Sequence, residues 1–236
     1  MWSRIPLCLW IWAAAGALAW QPDTAMLRSV FEEALTRRQH EYGDADARTA
    51  QAARDLGLFL CRAGDKVSAH RAMAHALQLD EKALGANAPQ TLEDAATLAS
   101  ISPRAEAEPL LRRAAESPDP IVAGPALTTL ADLRKAAGDR AGAAALLRRA
   151  VQKAEEVDGK DGPTVALILN MLALEVEPKE AISSLQRALA IDQQKTGRQS
   201  AQTLRDVRQL ASLLRATGRA PEAAQLEREF AAAAGR

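Results

Sequence analysis

Aromatic residues are scarce in this sequence: three Phe, one Tyr and four Trp make up 3 % of 236 residues. That is too few rings to fill the centre of a conventional globular core. Val and Ile are thin and scattered, which disfavours strands, whose pleated surfaces those side chains fill. The cysteines, Cys8 and Cys61, number two, so no disulfide framework can staple the fold. Neither sign of charge dominates, with 30 Lys and Arg against 30 Asp and Glu. Without a basic excess little is available to neutralise phosphates, and a nucleic-acid partner is not expected.

Motifs that carry chemistry are lacking too. There is no Gly-x-Ser-x-Gly elbow and no His-Glu-x-x-His. Gly159-Lys160-Asp161-Gly162 does not have the order of a phosphate-binding loop and reads as a turn before Pro163. His70 and His75 are five apart and point about 140° apart on a helix, whereas chelating pairs are three or four apart. His40 falls in a different helix. Cys61 has no His on its own helix and reads as a packing residue. Glu32-Glu33 and Glu155-Glu156 are adjacent, so they diverge onto solvated faces. These readings predict no catalytic, cofactor-binding or metal site and a protein that is not an enzyme.

One apolar run stands apart. Ile5 to Leu18 carries no charge, follows Arg4, and ends in Ala17-Leu18-Ala19 before Gln21-Pro22-Asp23. This is the layout of a secretory signal peptide cleaved after Ala19, and the run is shorter than the roughly 20 residues of a membrane-spanning helix. An uncleaved N-terminal anchor is the alternative. Cleavage would leave Cys61 as the sole cysteine. Residues 1–19 are therefore expected to be a signal peptide, and 20–236 an exported domain, periplasmic or secreted. The Ala- and Arg-rich composition suggests a bacterial source.

Ala and Leu supply most of the 48 % apolar content. Small side chains let helices approach closely, so helix-on-helix packing is favoured. A block recurs along the chain: AEPLLRRA at 107–114, AAALLRRA at 143–150, AISSLQRA at 181–188, with weaker copies ending at 34, 76 and 230. Successive copies are 42, 38, 36, 38 and 42 residues apart. Between them lies a Leu-small pair: Leu56-Gly57, Leu98-Ala99, Leu130-Ala131, Leu172-Ala173, Leu210-Ala211. Three of these lead into Gly64-Asp65, Gly138-Asp139 and Gly218-Arg219, helix stops of the kind only Gly makes cheaply. Each repeat is thus helix A (with Leu-small), a tight turn, and helix B (with the Ala block). From the Leu of helix A to the first small residue of helix B the spacing alternates 13, 9, 13, 9, 13. The short linkers carry Ser102-Pro103 and Glu177-Pro178. Four residues are about one helical turn, so the second and fourth A helices should end a turn early. Ser117-Pro118-Asp119-Pro120 is the strongest breaker and the expected weak joint.

At AEPLLRRA, at Ala188-Leu189-Ala190-Ile191-Asp192, at Leu84-Gly85 with Pro89-Gln90-Thr91, and at Gly159 with Pro163-Thr164, the chain resembles tetratricopeptide repeats of the kinesin-light-chain kind. The resemblance covers 24–236. It implies an all-α, right-handed α-solenoid of stacked antiparallel helix pairs: an initial helix over about 24–42, then repeats over about 44–85, 86–120, 121–159, 160–197 and 198–236. The bulky aromatic that such repeats carry in helix A is replaced here by Ala, Leu and Met. The resemblance also implies that the A helices line a groove for a protein or peptide of unspecified identity. Carried over position by position, the groove candidates are Asp55, Leu58, Thr97, Thr129, Asp132, Asn170, Leu174, Arg208, Gln209 and Ser212. Asn170 and Arg208 sit mid-helix, where a polar side chain is expected to give the fold little. A second candidate surface is the column Arg113, Arg149 and Arg187 on the B helices, which would form a basic ridge if unpaired. The function these features imply is an interaction module or scaffold, with a permanent structural subunit of an envelope complex as the alternative.

Overall fold

The computed structural model describes residues 24–231. The apolar segment read as a signal peptide, its cleavage site and residues 232–236 lie outside them. Among the described residues there are eleven helices and no strand: α1 Thr24–Tyr42, α2 Ala47–Arg62, α3 Lys66–Ala83, α4 Pro89–Ile101, α5 Arg104–Ala115, α6 Pro120–Ala136, α7 Arg140–Asp158, α8 Pro163–Ala173, α9 Pro178–Thr196, α10 Ala201–Ala216 and α11 Ala220–Ala231. The even-numbered helices are the A helices. Each helix packs mainly on its sequence neighbours, and α4 also touches α6. This is an α-solenoid, in which a repeat buries its apolar face only by stacking.

Punctuation in the sequence sets the helix ends. At Gly64, Gly138 and Gly218 the chain enters the left-handed region, with φ of 83°, 80° and 78°. There the next residue's N–H reaches back to Leu60 O, Arg134 O and Leu214 O at 3.1, 2.9 and 2.8 Å, which satisfies a carbonyl the helix end would leave unpaired. Asp65 and Asp139 then cap the following helices by accepting from Ser68 N and Gly142 N. The two turns without Gly follow the two shortest A helices, α4 with 13 residues and α8 with 11, against 16, 17 and 16 for α2, α6 and α10. A proline opens the return in both, Pro103 just before α5 and Pro178 at the first position of α9, a place where its missing N–H costs nothing.

The returning loops, B to A, use a different device. Thr49, Thr91 and Thr203 are fully buried, and each donates its hydroxyl to the carbonyl of a glycine six residues back: Gly43, Gly85 and Gly197, at 2.7, 2.8 and 2.8 Å. The clasp ties the loop to the first turn of the next A helix. After Gly159 the corresponding place is Val165, of the same shape without the hydroxyl and equally buried. Between α5 and α6 the loop is Ser117-Pro118-Asp119-Pro120, which is not a weak joint. Asp119 caps α6 by accepting from Ile121 N, Pro120 takes its first position, and Ser117 Oγ accepts from Asp119 N. The largest apolar cluster runs straight across it, joining Leu111 and Ala114 to Val122 and Ala126.

Alanine dominates the buried surface: Ala50, Ala53, Ala69, Ala76, Ala95, Ala114, Ala143 and Ala188 are among those with no exposure at all. Gly57 marks a tight approach between α2 and α3. A Cβ there would lie 2.6 Å from Met73 Sδ and 3.2 Å from its backbone nitrogen. Gly124 has the opposite surroundings, with Lys153 Cβ at 3.8 Å as its nearest neighbour. Gly57→Val should therefore lower stability by about 1–3 kcal/mol through overpacking, whereas Gly124→Ala should raise it by up to about 1 kcal/mol through helix propensity. Urea unfolding of both variants checks the pair; equal midpoints would contradict the packing.

Candidate functional site

One position recurs along the A-helix face and changes its chemistry from repeat to repeat. It combines the residue two before Leu in one A helix, a residue near the end of the next B helix, and the residue four before Leu in the following A helix. In the first instance these are Arg54, Asp80 and Asp94. The guanidinium of Arg54 bridges both acids, holding Asp94 Oδ1 at 2.5 Å and pairing also with Asp80. Asp80 and Asp94 are fully buried. Burial pushes the Asp94 carboxyl up to about 6, against the pull of Arg54 and helped by Asp80. Between α4 and α6 the position is closed by small residues, Ala96 and Ala126, and the two A helices touch.

Between α6 and α8 the same position is apolar and open: Thr128, Ala154 and Ile168 stand where the acids and arginine stood. They line a cleft of about 350 Å³ whose rim carries Ile121, Val157 and Leu167, exposed by 69, 49 and 58 %. A cleft of this size with an apolar wall is the usual form of a docking pocket, and large apolar side chains grouped in the open are uncommon without a partner.

Between α8 and α10 the position is polar again, but its cation is missing. Asn170 replaces arginine and donates to Asp206 Oδ1 at 2.9 Å. Asp206 is 1 % and Asp192 4 % exposed. Neither Asp192 Oδ2 nor Asp206 Oδ2 has a hydrogen-bond partner among the described residues. Burial, and after it the facing Asp192, pushes the Asp206 carboxyl up to about 7. A proton on Asp206 relieves the conflict of two buried like charges.

The residues expected to form the groove are distributed unequally over this surface. Asp132 lines the apolar cleft, with Thr128 and Met171 beside it. Asp132 and Leu174 line a smaller hollow of about 80 Å³ between α6, α7 and α8. Arg208, near the C-terminal end, borders a shallow hollow with Leu204, Val207 and Phe230 and donates to Leu204 O. Thr97 and Thr129 spend their hydroxyls on Glu93 O and Pro125 O of their own helices. Asp55 accepts from Gln51, and Leu58 packs beside Met73 and Leu98. Gln209 is half-buried and Ser212 exposed. Asn170 is not the dispensable mid-helix residue expected of it, because its amide is a partner of a buried acid. Arg54, adjacent to Asp55, is likewise a structural clamp.

The arginine column does not form a free ridge. Arg113 pairs with Glu81 and donates to Ala86 O; Arg149 pairs with Glu116 and donates to Ala115 O; Arg187 pairs with Glu155 and donates to Lys160 O. Each guanidinium thus ties its B helix to the end of the preceding one. Exposed pairs of this kind contribute little singly, and their charge is already matched. Cys61 is half-buried at the α2 end, beside Leu56 and Leu60. No group of three or more His, Cys, Asp or Glu among the described residues is placed to hold a metal ion.

Comparison with known proteins places this arrangement in a class. The fold is that of a TPR-like helical repeat solenoid. BtubC (BKLC) from P. vanneervenii superposes with a TM-score of 0.67 at 19 % identity, over 93 % of both chains. A P. anserina kinesin-light-chain protein with nearly identical TPR-like repeats aligns over 89 % of this chain and 85 % of its own, at 15 % identity and a TM-score of 0.37. No protein-family model matches the chain, nor does any curated protein.

The acid pair gives a pH signature. With its carboxyl raised to about 7, folded Asp206 keeps a proton that the unfolded chain releases at about 4. Stability should therefore fall as pH rises through about 4 to 7 and level off above it. Asp206→Asn removes that titration. Its urea midpoint should decline less than the wild type's between pH 5 and pH 8; parallel declines would count against the raised Asp206 carboxyl.

Proposed function

We propose that this protein is a non-catalytic interaction scaffold that holds a segment of a protein partner along its A-helix face. The observation that carries this reading is the apolar cleft between α6 and α8, with Ile121, Val157 and Leu167 exposed around it. Partner docking would bury side chains that the array leaves in water. The fold supports the same reading, since a solenoid offers a long continuous surface without a central active-site cavity. No helix among the described residues is long and apolar enough to cross a membrane.

Leu167→Asp tests the site. Leu167 is 58 % exposed, so the fold should tolerate the change. Burying one leucine is worth about 1.5–3 kcal/mol, so partner affinity should drop about tenfold or more. A photo-crosslinker at position 167 should label the partner, and one at Arg112 on α5 should not. Unchanged affinity together with labelling only from position 112 would move the interface off the A-helix face.

The location is part of the proposal. The apolar Ile5–Leu18 run with its Ala17-Leu18-Ala19 exit supports export with cleavage after Ala19. Mass spectrometry of the protein from its native source should find Trp20 as the first residue; a chain that retains residues 1–19 would rule out cleavage.

A further inference from the structure

We propose that the position formed by Asn170, Asp192 and Asp206 is a receptor for a cationic side chain, a guanidinium by preference, supplied by the bound segment. The inference rests on the A-helix face being the docking surface and adds the chemistry of a second anchor, one repeat on from the apolar cleft.

The argument comes from the chain's own first instance of the constellation. Asp80 and Asp192 both lie eleven residues after the first alanine of their B-helix block, Ala69 and Ala181. Asp94 and Asp206 both lie four before the leucine of the next A helix, Leu98 and Leu210. Arg54 and Asn170 both lie two before the leucine of the preceding A helix, Leu56 and Leu172. In the first instance one guanidinium joins the two acids: Nε meets Asp94 Oδ1 at 2.5 Å and Nη2 meets Asp94 Oδ2 at 3.2 Å and also Asp80. Two acids in this geometry thus accept a planar, multidentate donor, which arginine supplies and lysine only approximates.

In the second instance the acids remain and the donor is shortened to an amide. Asn170 satisfies one oxygen of Asp206, leaving Oδ2 of both acids and its own Oδ1 without partners. Asn170 is partly exposed on the A-helix side and covers both acids. These and the three oxygens without partners are buried, so an entering guanidinium has to displace the Asn170 amide. The groups facing the pair are Asn170 from α8, Asp192 from α9 and, on its own helix, Arg205, which draws the Asp206 carboxyl down only weakly against the other influences. In the free protein the raised Asp206 carboxyl holds a proton below about pH 7. An entering guanidinium takes its place: the proton leaves to solvent, and two charge-assisted hydrogen bonds replace it. The apolar cleft and this acidic position lie in consecutive repeats, so the preferred segment carries an apolar anchor and an arginine.

The test uses the full chain with its Asp carboxyl carbons labelled with carbon-13, titrated with N-acetyl-arginine amide and, in parallel, with N-acetyl-lysine amide and N-acetyl-norleucine amide. The arginine probe should shift the Asp192 and Asp206 signals saturably. It should also lower the Asp206 pKa from about 7 by about one to three pH units, as an adjacent opposite charge does. Lysine should act more weakly and norleucine not at all. Asn170→Arg supplies the guanidinium internally, as Arg54 already does at the first position. It should lower the pKa without any probe and abolish the arginine response, and Asp206→Asn should abolish the response while keeping the fold. An arginine response that persists in Asn170→Arg, or no saturable response in wild type, overturns the receptor. Leu167→Asp separates the two claims: if that variant keeps the arginine response but binds the partner as well as wild type, the cleft reading fails and the receptor stands. If the partner is lost with Leu167→Asp while wild type shows no arginine response, the receptor fails and the cleft stands.

Discussion

The close packing of alanine-lined helices is the constraint from which the other features follow. Ala at the contact positions lets neighbouring helices pack closely, and at Gly57 even a Cβ has no room. Each Ala contributes little apolar area, and hydrophobic stabilisation scales with area. The array therefore adds polar links at regular places: threonine hydroxyls clasping the returning loops, and arginines reaching from one B helix to the end of the preceding one. Each link is modest singly. Their value lies in repetition, because a solenoid's stability is approximately a sum over repeats and the interfaces between them.

Close packing also decides where binding chemistry can appear. B helices and turns are committed to stacking. The position under consecutive A helices carries different chemistry in each repeat: an arginine clamp, a closed contact of alanines, an open apolar cleft, and an acid pair without a cation. The first two hold the fold. The last two leave apolar surface in water or oxygens unpartnered, costs that a bound segment would remove.

Much of the fold was legible in the sequence because its punctuation is literal. Gly64, Gly138 and Gly218 stop helices, Pro89, Pro120, Pro163 and Pro178 start them, and the alternation of Gly turns with proline turns matches the short α4 and α8. At Ser117-Pro118-Asp119-Pro120 the rule of thumb failed, because residues that break a helix also cap one: Asp119 and Pro120 open α6 rather than loosen the joint. The arginine column was misleading for a related reason. Sequence recurrence shows that a residue is required at a place, and here the requirement is a partner in the preceding repeat.

The site was less legible, and the reason is specific. Hydrophobic periodicity assigns Asp to solvent, so it does not single out Asp80, Asp94, Asp192 and Asp206, although all four are buried. A signal was nevertheless present: aspartates fall at the same two places in two different repeats, beside Arg54 in one and Asn170 in the other. Solvent-facing acids have no need to hold a fixed place in a repeat, whereas acids that share a buried site do. The apolar cleft left a fainter trace: Leu167 and Ile121 stand at places that are exposed in the other A helices, where Gln51, Glu93 and Arg205, and Ala47, Pro89 and Ala201, stand instead. In a repeat array the stacking positions can be read from what recurs. The binding positions are those where a recurring place carries different chemistry, and recognising them requires knowing which residues face each other across helices.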